Sequence, residues 1–158
     1  MKFTIITVGK LKTAYLRDGV AEFVKRLSVY GGATIVEVSE SKQSSQGASQ
    51  REAIVEEEGG RILKLLTNKS YVVLLDVKGK MLSSEQLAAK ISELEVSGIS
   101  EMTFVIGGAF GVSRDLRQRA DLALSFSPMT FTHQMVRLLL VEQIYRACKI
   151  NKNEPYHW

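Results

Sequence analysis

The chain has 158 residues, of which 45% are hydrophobic and 24% are charged, a balance typical of one globular domain with a sizeable core. The 21 basic side chains outnumber the 17 acidic ones, and the net charge of +4 permits a nucleic-acid partner without requiring one. The single cysteine, Cys148, excludes an intramolecular disulfide and a cysteine-based zinc site, and no apolar run approaches the roughly 20 residues of a membrane span. We therefore expect a cytosolic protein with one domain over residues 1–158, and Cys148 in its core.

The first part of the chain alternates between strand and helix patterns. β-branched residues alternate in the strands, and apolar residues recur at helical spacing in the helices. The predicted segments are a strand at 2–9, a helix at 11–29, a strand at 33–39, an exposed polar loop at 39–50 and a helix at 51–66. Gly59 and Gly60 lie inside the second helix pattern, where two glycines cost roughly 2 kcal/mol relative to alanine and predict a kink or an early break.

The rest of the chain continues this alternation. The predicted segments are a buried strand at 70–77, a turn at 78–80, a helix capped by Ser83 or Ser84, a strand at 102–108, a short helix at 114–120, a short strand or extended segment at 120–127 and a helix at 133–149. Repeated strand–helix units predict an α/β fold whose sheet is mostly parallel and flanked by helices.

Ligands of open parallel sheets bind beyond the carboxyl ends of the strands. Three such ends stand out, at 75–77, 106–111 and 124–129. The glycines of IGGAFG allow the backbone to approach a ligand closely, but the segment lacks the first glycine of a dinucleotide-binding fingerprint. Taken alone, this glycine segment fits an ordinary strand-to-helix turn as well as a ligand loop.

The segment SFSPMTFTH at 125–133 combines hydroxyl groups with Phe126, Met129 and Phe131. Apolar side chains with a few polar contacts are typical of a small-molecule pocket, although the same aromatic rings suit a core. Thr130 and Thr132 are competing N-caps for the following helix.

The last helix is apolar nearly all round, which predicts burial in a core or at a subunit interface. His133 and Arg137 share one face at its start, and no acidic residue is placed to pair with Arg137 at helical spacing. A contact between Arg137 and a ligand or phosphate is therefore a credible interpretation. Glu142 and Arg146 are spaced to pair with each other.

The tail at 151–158 ends in the rings of Tyr156, His157 and Trp158. Chain ends ordinarily fray, whereas three terminal rings favour a tail that docks, either over a base or on a partner subunit.

Taken together, these segments resemble the SPOUT methyltransferases, and within them the small bacterial family that methylates pseudouridine at N3 in large-subunit ribosomal RNA. The match covers essentially the whole chain. The matching segments are VGKLK at 8–12, LDVKGKMLSSE at 75–85, FVIGGAFG at 104–111, ALSFSPMTFTHQMVRLLLVEQIYRA at 123–147 and PYHW at 155–158.

The resemblance implies an α/β fold with a deep trefoil knot in its C-terminal part, where S-adenosylmethionine binds in a bent form between three loops. The residues at these loops are Leu75, Gly107, Gly108, Phe126, Ser127, Pro128, Met129, Thr130 and Phe131. It also implies a homodimer in which the tail of one subunit approaches the cofactor pocket of the other. The implied substrate is the assembled ribosome, and no metal is required.

We hypothesise that His133 and Arg137 position the target nucleotide and offset negative charge that develops on it. Tyr156 and His157, from the partner subunit, would orient the base or accept its proton. Two positions depart from the usual family pattern. Thr132 stands where close relatives usually have proline, and Trp158 ends the chain where a basic or polar residue is common.

Two other functions remain open from the residues alone. One is a nucleotide- or RNA-binding module on ribosomes that does no chemistry. The other is a nicotinamide-dependent oxidoreductase, which the incomplete glycine fingerprint disfavours.

Overall fold

The computed structural model describes residues 1–44 and 46–156. Within them, five strands form one sheet in the order β2-β1-β4-β3-β5, and every neighbouring pair is parallel. The strands are β1 (Lys2–Val8), β2 (Ala33–Val38), β3 (Ser70–Met81), β4 (Glu101–Ile106) and β5 (Leu122–Ser125). The predicted α/β class and parallel sheet are confirmed.

Helices cover both faces of the sheet. They are α1 (Ala14–Leu27), α2 (Ala48–Leu63), α3 (Ser84–Val96), α4 (Arg114–Arg119) and α5 (His133–Asn151), with a 3₁₀ turn at Ser28–Tyr30. Because successive strand residues point to opposite faces, Ile5 packs in the core under α1, α3 and α5, while Ile6 packs in the core under α2 and α4.

The predicted turn at 78–80 is wrong. Strand β3 continues through these residues to Met81 and, after an irregularity, pairs Lys80 with Leu124 of β5. A side chain at Gly79 would place its Cβ 2.7 Å from the backbone of Ala123, so glycine permits this close approach. The Lys-Gly-Lys triplet suits a turn locally, but pairing with a strand distant in sequence overrides that preference.

Helix α2 begins before the predicted position and runs through Gly59 and Gly60 without a break. A Cβ on Gly59 would lie 2.8 Å from the Cβ of Ser113, the residue that caps α4. The cost of glycine in this helix is therefore offset by close packing against the start of α4.

The structure distinguishes between the alternative helix caps. Ser83, rather than Ser84, accepts a hydrogen bond from the Gln86 amide and forms a capping box with that residue. Thr132, rather than Thr130, caps α5 by accepting from the Met135 amide.

Helix α5 packs against α1 and α3, and its inner face is completely buried. Cys148 belongs to that face, and burial raises the pKa of its thiol to about 11. The thiol is thus a core group, as predicted. No helix among the described residues combines the length and apolar character needed to cross a membrane.

Candidate functional site

A cavity of about 390 Å³ opens at the carboxyl ends of β4 and β5, beside the part of β3 that follows its last pair with β4, Leu75 with Ile106. Three chain segments form its walls, namely residues 75–78 of β3, the loop at 107–112 after β4 and the segment at 125–131 that leaves β5. Helix α4 and the start of α5 complete the cavity. This location agrees with the general rule for parallel sheets.

Eight of the nine residues predicted to contact a cofactor line this cavity. They are Leu75, Gly107, Gly108, Phe126, Ser127, Met129, Thr130 and Phe131. Pro128 lies within the same loop but is not among the lining residues. The structure thus brings together three segments that are far apart in sequence.

The loop after β4 is a compact glycine turn. The Gly111 amide donates to the Gly108 carbonyl at 3.2 Å, and Gly111 has a φ of +100°, which favours glycine. A Cβ on Gly107 would lie 3.0 Å from the Gly111 carbonyl oxygen. The turn therefore depends on small residues and presents peptide groups to the cavity.

A buried carboxyl group lies behind this turn. A Cβ on Gly108 would lie 3.2 Å from the Cδ of Glu58 in α2. One carboxyl oxygen of Glu58 accepts from the Ser41 amide at 3.0 Å, while the other has no hydrogen-bond partner among the described residues. Burial raises the pKa of Glu58, against the opposing effect of the Ser41 hydrogen bond.

The loop after β5 presents apolar side chains at the mouth of the cavity. Ser127 accepts from the Met129 amide at 3.0 Å, which fixes a local turn. Met129 is 71% exposed and Phe131 is 44% exposed. Large apolar side chains exposed at a cavity mouth are typical of a surface that a ligand or partner covers.

Three charged residues of the cavity were missed by the sequence analysis: Asp76, Lys78 and Arg117. Asp76 accepts from the Lys78 amide at 3.1 Å and forms an ion pair with Arg117 of α4. Asp76 could have been found as a charged residue near the end of the buried strand predicted at 70–77. Arg117 lacked any such signal, because only the folded chain brings α4 to this edge of the sheet.

Among the predicted catalytic residues, His133 lies at the cavity. It is the first residue of α5, is exposed, and borders the loop after β5. A titratable ring at the rim of a cavity can contact a bound substrate while it remains accessible to water.

Arg137 does not line the cavity. It is 1% exposed and donates hydrogen bonds of 2.9 Å to the carboxylate of Glu37 and to the carbonyl oxygens of Val8 and Gly9. Burial lowers the pKa of Arg137, and the Glu37 carboxylate opposes that shift. The interpretation that Arg137 lacks an acidic partner is therefore wrong, because a residue on a distant strand supplies one.

Tyr156 follows α5 in the chain and packs against the side of that helix in its own subunit. It is not among the residues that line the cavity. Its hydroxyl donates to Glu142 at 3.0 Å, and its ring packs edge-on against Tyr145 with centroids 5.0 Å apart. The guanidinium of Arg146 lies 4.7 Å from the Tyr156 ring centroid and also pairs with Glu142, as the spacing predicted. His157 and Trp158 lie outside the described residues.

The cavity combines apolar walls with backbone polar groups and one ion pair. Leu75, Ile106 and Leu124 supply apolar surface for a planar ring system, and the glycine turn supplies hydrogen-bonding peptide groups. The described residues contain no group of three histidine, cysteine or acidic side chains placed to hold a metal ion. The arrangement suits an organic ligand with both an apolar and a charged part.

Comparison with known proteins gives matches along the full chain. The family described as "Predicted SPOUT methyltransferase" matches residues 1–157. Proteins named ribosomal RNA large subunit methyltransferase H are similar over 99% of both chains, with 49% identity in Carboxydothermus hydrogenoformans, 51% in Alkaliphilus oremlandii and 49% in Halothermothrix orenii. The similarity therefore includes all three segments that line the cavity.

Proposed function

The chain belongs to the SPOUT methyltransferase family, and from that membership we propose that it transfers a methyl group from S-adenosylmethionine to large-subunit ribosomal RNA. The observation that carries this proposal is that one cavity is lined by all three of the segments that the family resemblance implies. The relatives' names support the RNA substrate. We further propose that the acceptor is N3 of a pseudouridine in the assembled ribosome, in the cytoplasm.

The residues of the cavity fit S-adenosylmethionine. Its apolar walls and glycine peptide groups suit an adenosine, and the charged pair suits an amino acid. When bound, the cofactor supplies a methyl group on a positively charged sulfur. Transfer of that group needs an acceptor aligned with the carbon–sulfur bond, so binding and orientation supply most of the catalysis.

His133 is the described residue best placed to contact the acceptor nucleotide. It lies at the rim, where a base can approach the cavity from outside. N3 of the base carries a proton that must leave, and an imidazole can accept it or stabilise the resulting anion. We assign Arg137 a positioning role, because its hydrogen bonds fix the first turns of α5 to the ends of β1 and β2.

A homodimer is part of the proposal. Besides Met129 and Phe131, the long β3 leaves Val77 and Met81 exposed near the same loops. Surfaces of this kind are typical of protein interfaces. A second subunit that covered them would bring its own Tyr156 and His157 towards the acceptor. The trefoil knot implied by the family resemblance likewise belongs to the proposal.

The test is incorporation of labelled methyl from S-adenosylmethionine into bacterial ribosomes from a strain that lacks the corresponding enzyme. We expect label in large-subunit RNA, at a single nucleotide mapped by mass spectrometry. Thr130→Trp, which places a bulky side chain at the exposed rim of the cavity, is expected to abolish incorporation without unfolding the chain.

Two outcomes would contradict the proposal. Binding of S-adenosylhomocysteine without incorporation would leave a nucleotide-binding module that does no chemistry. Binding of NADH in place of S-adenosylhomocysteine would favour the oxidoreductase instead.

A further inference from the structure

We propose that Asp76 and Arg117 form the subsite for the amino-acid end of S-adenosylmethionine. Arg117 binds its α-carboxylate and Asp76 binds its α-ammonium group. This inference rests on the function proposed above and adds the residues that recognise the charged end of the cofactor.

The alternation of β3 places the pair on one side of the cavity. Val72 and Leu74 point into the core under α2 and α4, and Asp76 continues that alternation on the same face of the sheet. Arg117 reaches this point from α4, which covers that face. His133 enters the cavity from α5, on the opposite face. The ion pair and the rim histidine therefore border the cavity from different sides.

The pair has hydrogen-bonding capacity beyond its internal contact. The side chain of Arg117 is 47% exposed, and only its Nη1 donates to Asp76. Its Nη2 and Nε make no hydrogen bond to the described residues, so two donors of the planar fork remain for a carboxylate. The Asp76 side chain is 7% exposed, and its two oxygens can accept further hydrogen bonds besides those from Lys78 and Arg117.

The other lining residues suit the adenosine part of the cofactor, which leaves the ion pair for its amino-acid end. Apolar walls and peptide groups match an adenosine, and among the other lining residues only Lys78 carries a fixed charge, which provides no acceptor for an ammonium group. Opposite charges already held in contact match a zwitterion in which an ammonium and a carboxylate share one carbon. A preformed pair also avoids the cost of orienting two free side chains when the ligand binds.

The test compares two ligands that differ at the charged end. S-adenosylhomocysteine carries the amino-acid end, and 5′-methylthioadenosine keeps the adenosine and sulfur but lacks it. For Arg117→Gln and Asp76→Asn, calorimetry is expected to show S-adenosylhomocysteine affinity reduced about tenfold or more, the loss expected for a charge-assisted hydrogen bond. The affinity for 5′-methylthioadenosine is expected to stay within about twofold of wild type, and it reports that the variant cavity is folded.

Arg114→Gln is the matched control. It removes the same charge from the same helix at an exposed position outside the cavity lining, so both affinities are expected to stay at the wild-type value.

Equal losses for both ligands, or a loss for neither, would overturn the subsite. A wild-type S-adenosylhomocysteine affinity in Arg117→Gln together with a raised KM for ribosomes would also overturn it, and would assign Arg117 to an RNA phosphate. A wild-type protein that binds neither adenosine ligand would instead overturn the proposed function and the subsite with it.

Discussion

The carboxyl edge of the sheet has a closed half, formed by the ends of β1 and β2, and an open half, formed by the ends of β4 and β5 and by residues 75–78 of β3. In the closed half, Arg137 fills the space and donates to Val8, Gly9 and Glu37. In the open half, short loops rich in glycine and hydroxyl groups surround a cavity of about 390 Å³. One half thus holds the structure together while the other is shaped to receive a ligand.

Helix α5 belongs to both halves. His133 borders the cavity, whereas Arg137, one turn later, lies inside the closed half. The difference shows that two polar residues on one helical face can have unrelated roles. A buried side chain with several protein partners fixes backbone positions, and an exposed side chain at a cavity rim is available for chemistry.

Removal of the buried arginine has the largest expected effect on stability. Arg137→Met removes the Arg137 donor from two buried carbonyl groups and leaves the Glu37 carboxylate with the Leu11 amide as its remaining donor. The variant is expected to lower the free energy of unfolding by about 3 kcal/mol. Urea unfolding measures the change. The control is Arg26→Met, whose exposed pair with Glu22 is screened by water, so a much smaller change in the free energy of unfolding is expected. Unchanged stability with a selective loss of ligand binding would instead make Arg137 a ligand-binding residue.

The two neighbouring glycines of α2 provide a matched test of the wall behind the open half. Gly59→Ala forces a Cβ against Ser113 and is expected to destabilise the fold by roughly 1–3 kcal/mol. A Cβ on Gly60 would meet no neighbouring group of the described residues within 4 Å, so Gly60→Ala is expected to stabilise the helix by about 0.5–1 kcal/mol. Thermal unfolding compares the two. Equal effects would show that α2 does not pack closely on the start of α4.

A smaller effect is expected from the buried carboxyl behind the glycine turn. Burial raises the folded-state pKa of Glu58 above its ordinary value of 4.5. The contribution of protonated Glu58 to the free energy of unfolding is therefore fully present below about pH 4.5, and it is lost as the pH rises through the folded-state pKa. Compared with Glu58→Gln, the wild-type protein should lose stability over that range. Parallel stability curves for the two proteins from about pH 4 to 8 would contradict the raised pKa.

Much of the fold could be predicted from local patterns, because amphipathic helices and buried strands carry their periodicity in the sequence. The exceptions depend on contacts between distant segments. Residues 78–80 form strand rather than turn because β5 pairs with them, and Arg137 is neutralised by Glu37, which no helical spacing could indicate.

The candidate site shows the same division. The family resemblance located the three segments of the cavity. The ion pair of Asp76 and Arg117 could not be predicted, because it forms only where α4 packs beside Asp76 of β3. Tyr156 shows which contacts the structure of a single subunit describes. The sequence predicted docking over a base or on a partner subunit, whereas the Tyr156 ring packs on α5 of its own chain. Its approach to a partner's cavity stays a prediction that depends on the dimer.

Amide hydrogen exchange with and without S-adenosylhomocysteine tests most directly whether the open half is the cofactor site and the closed half is scaffold. The account predicts new protection in the three cavity segments at 75–78, 107–112 and 125–131, with exchange unchanged at the ends of β1 and β2. Protection of the amides of Val8, Gly9 and Glu37, without protection of the three cavity segments, would contradict this account.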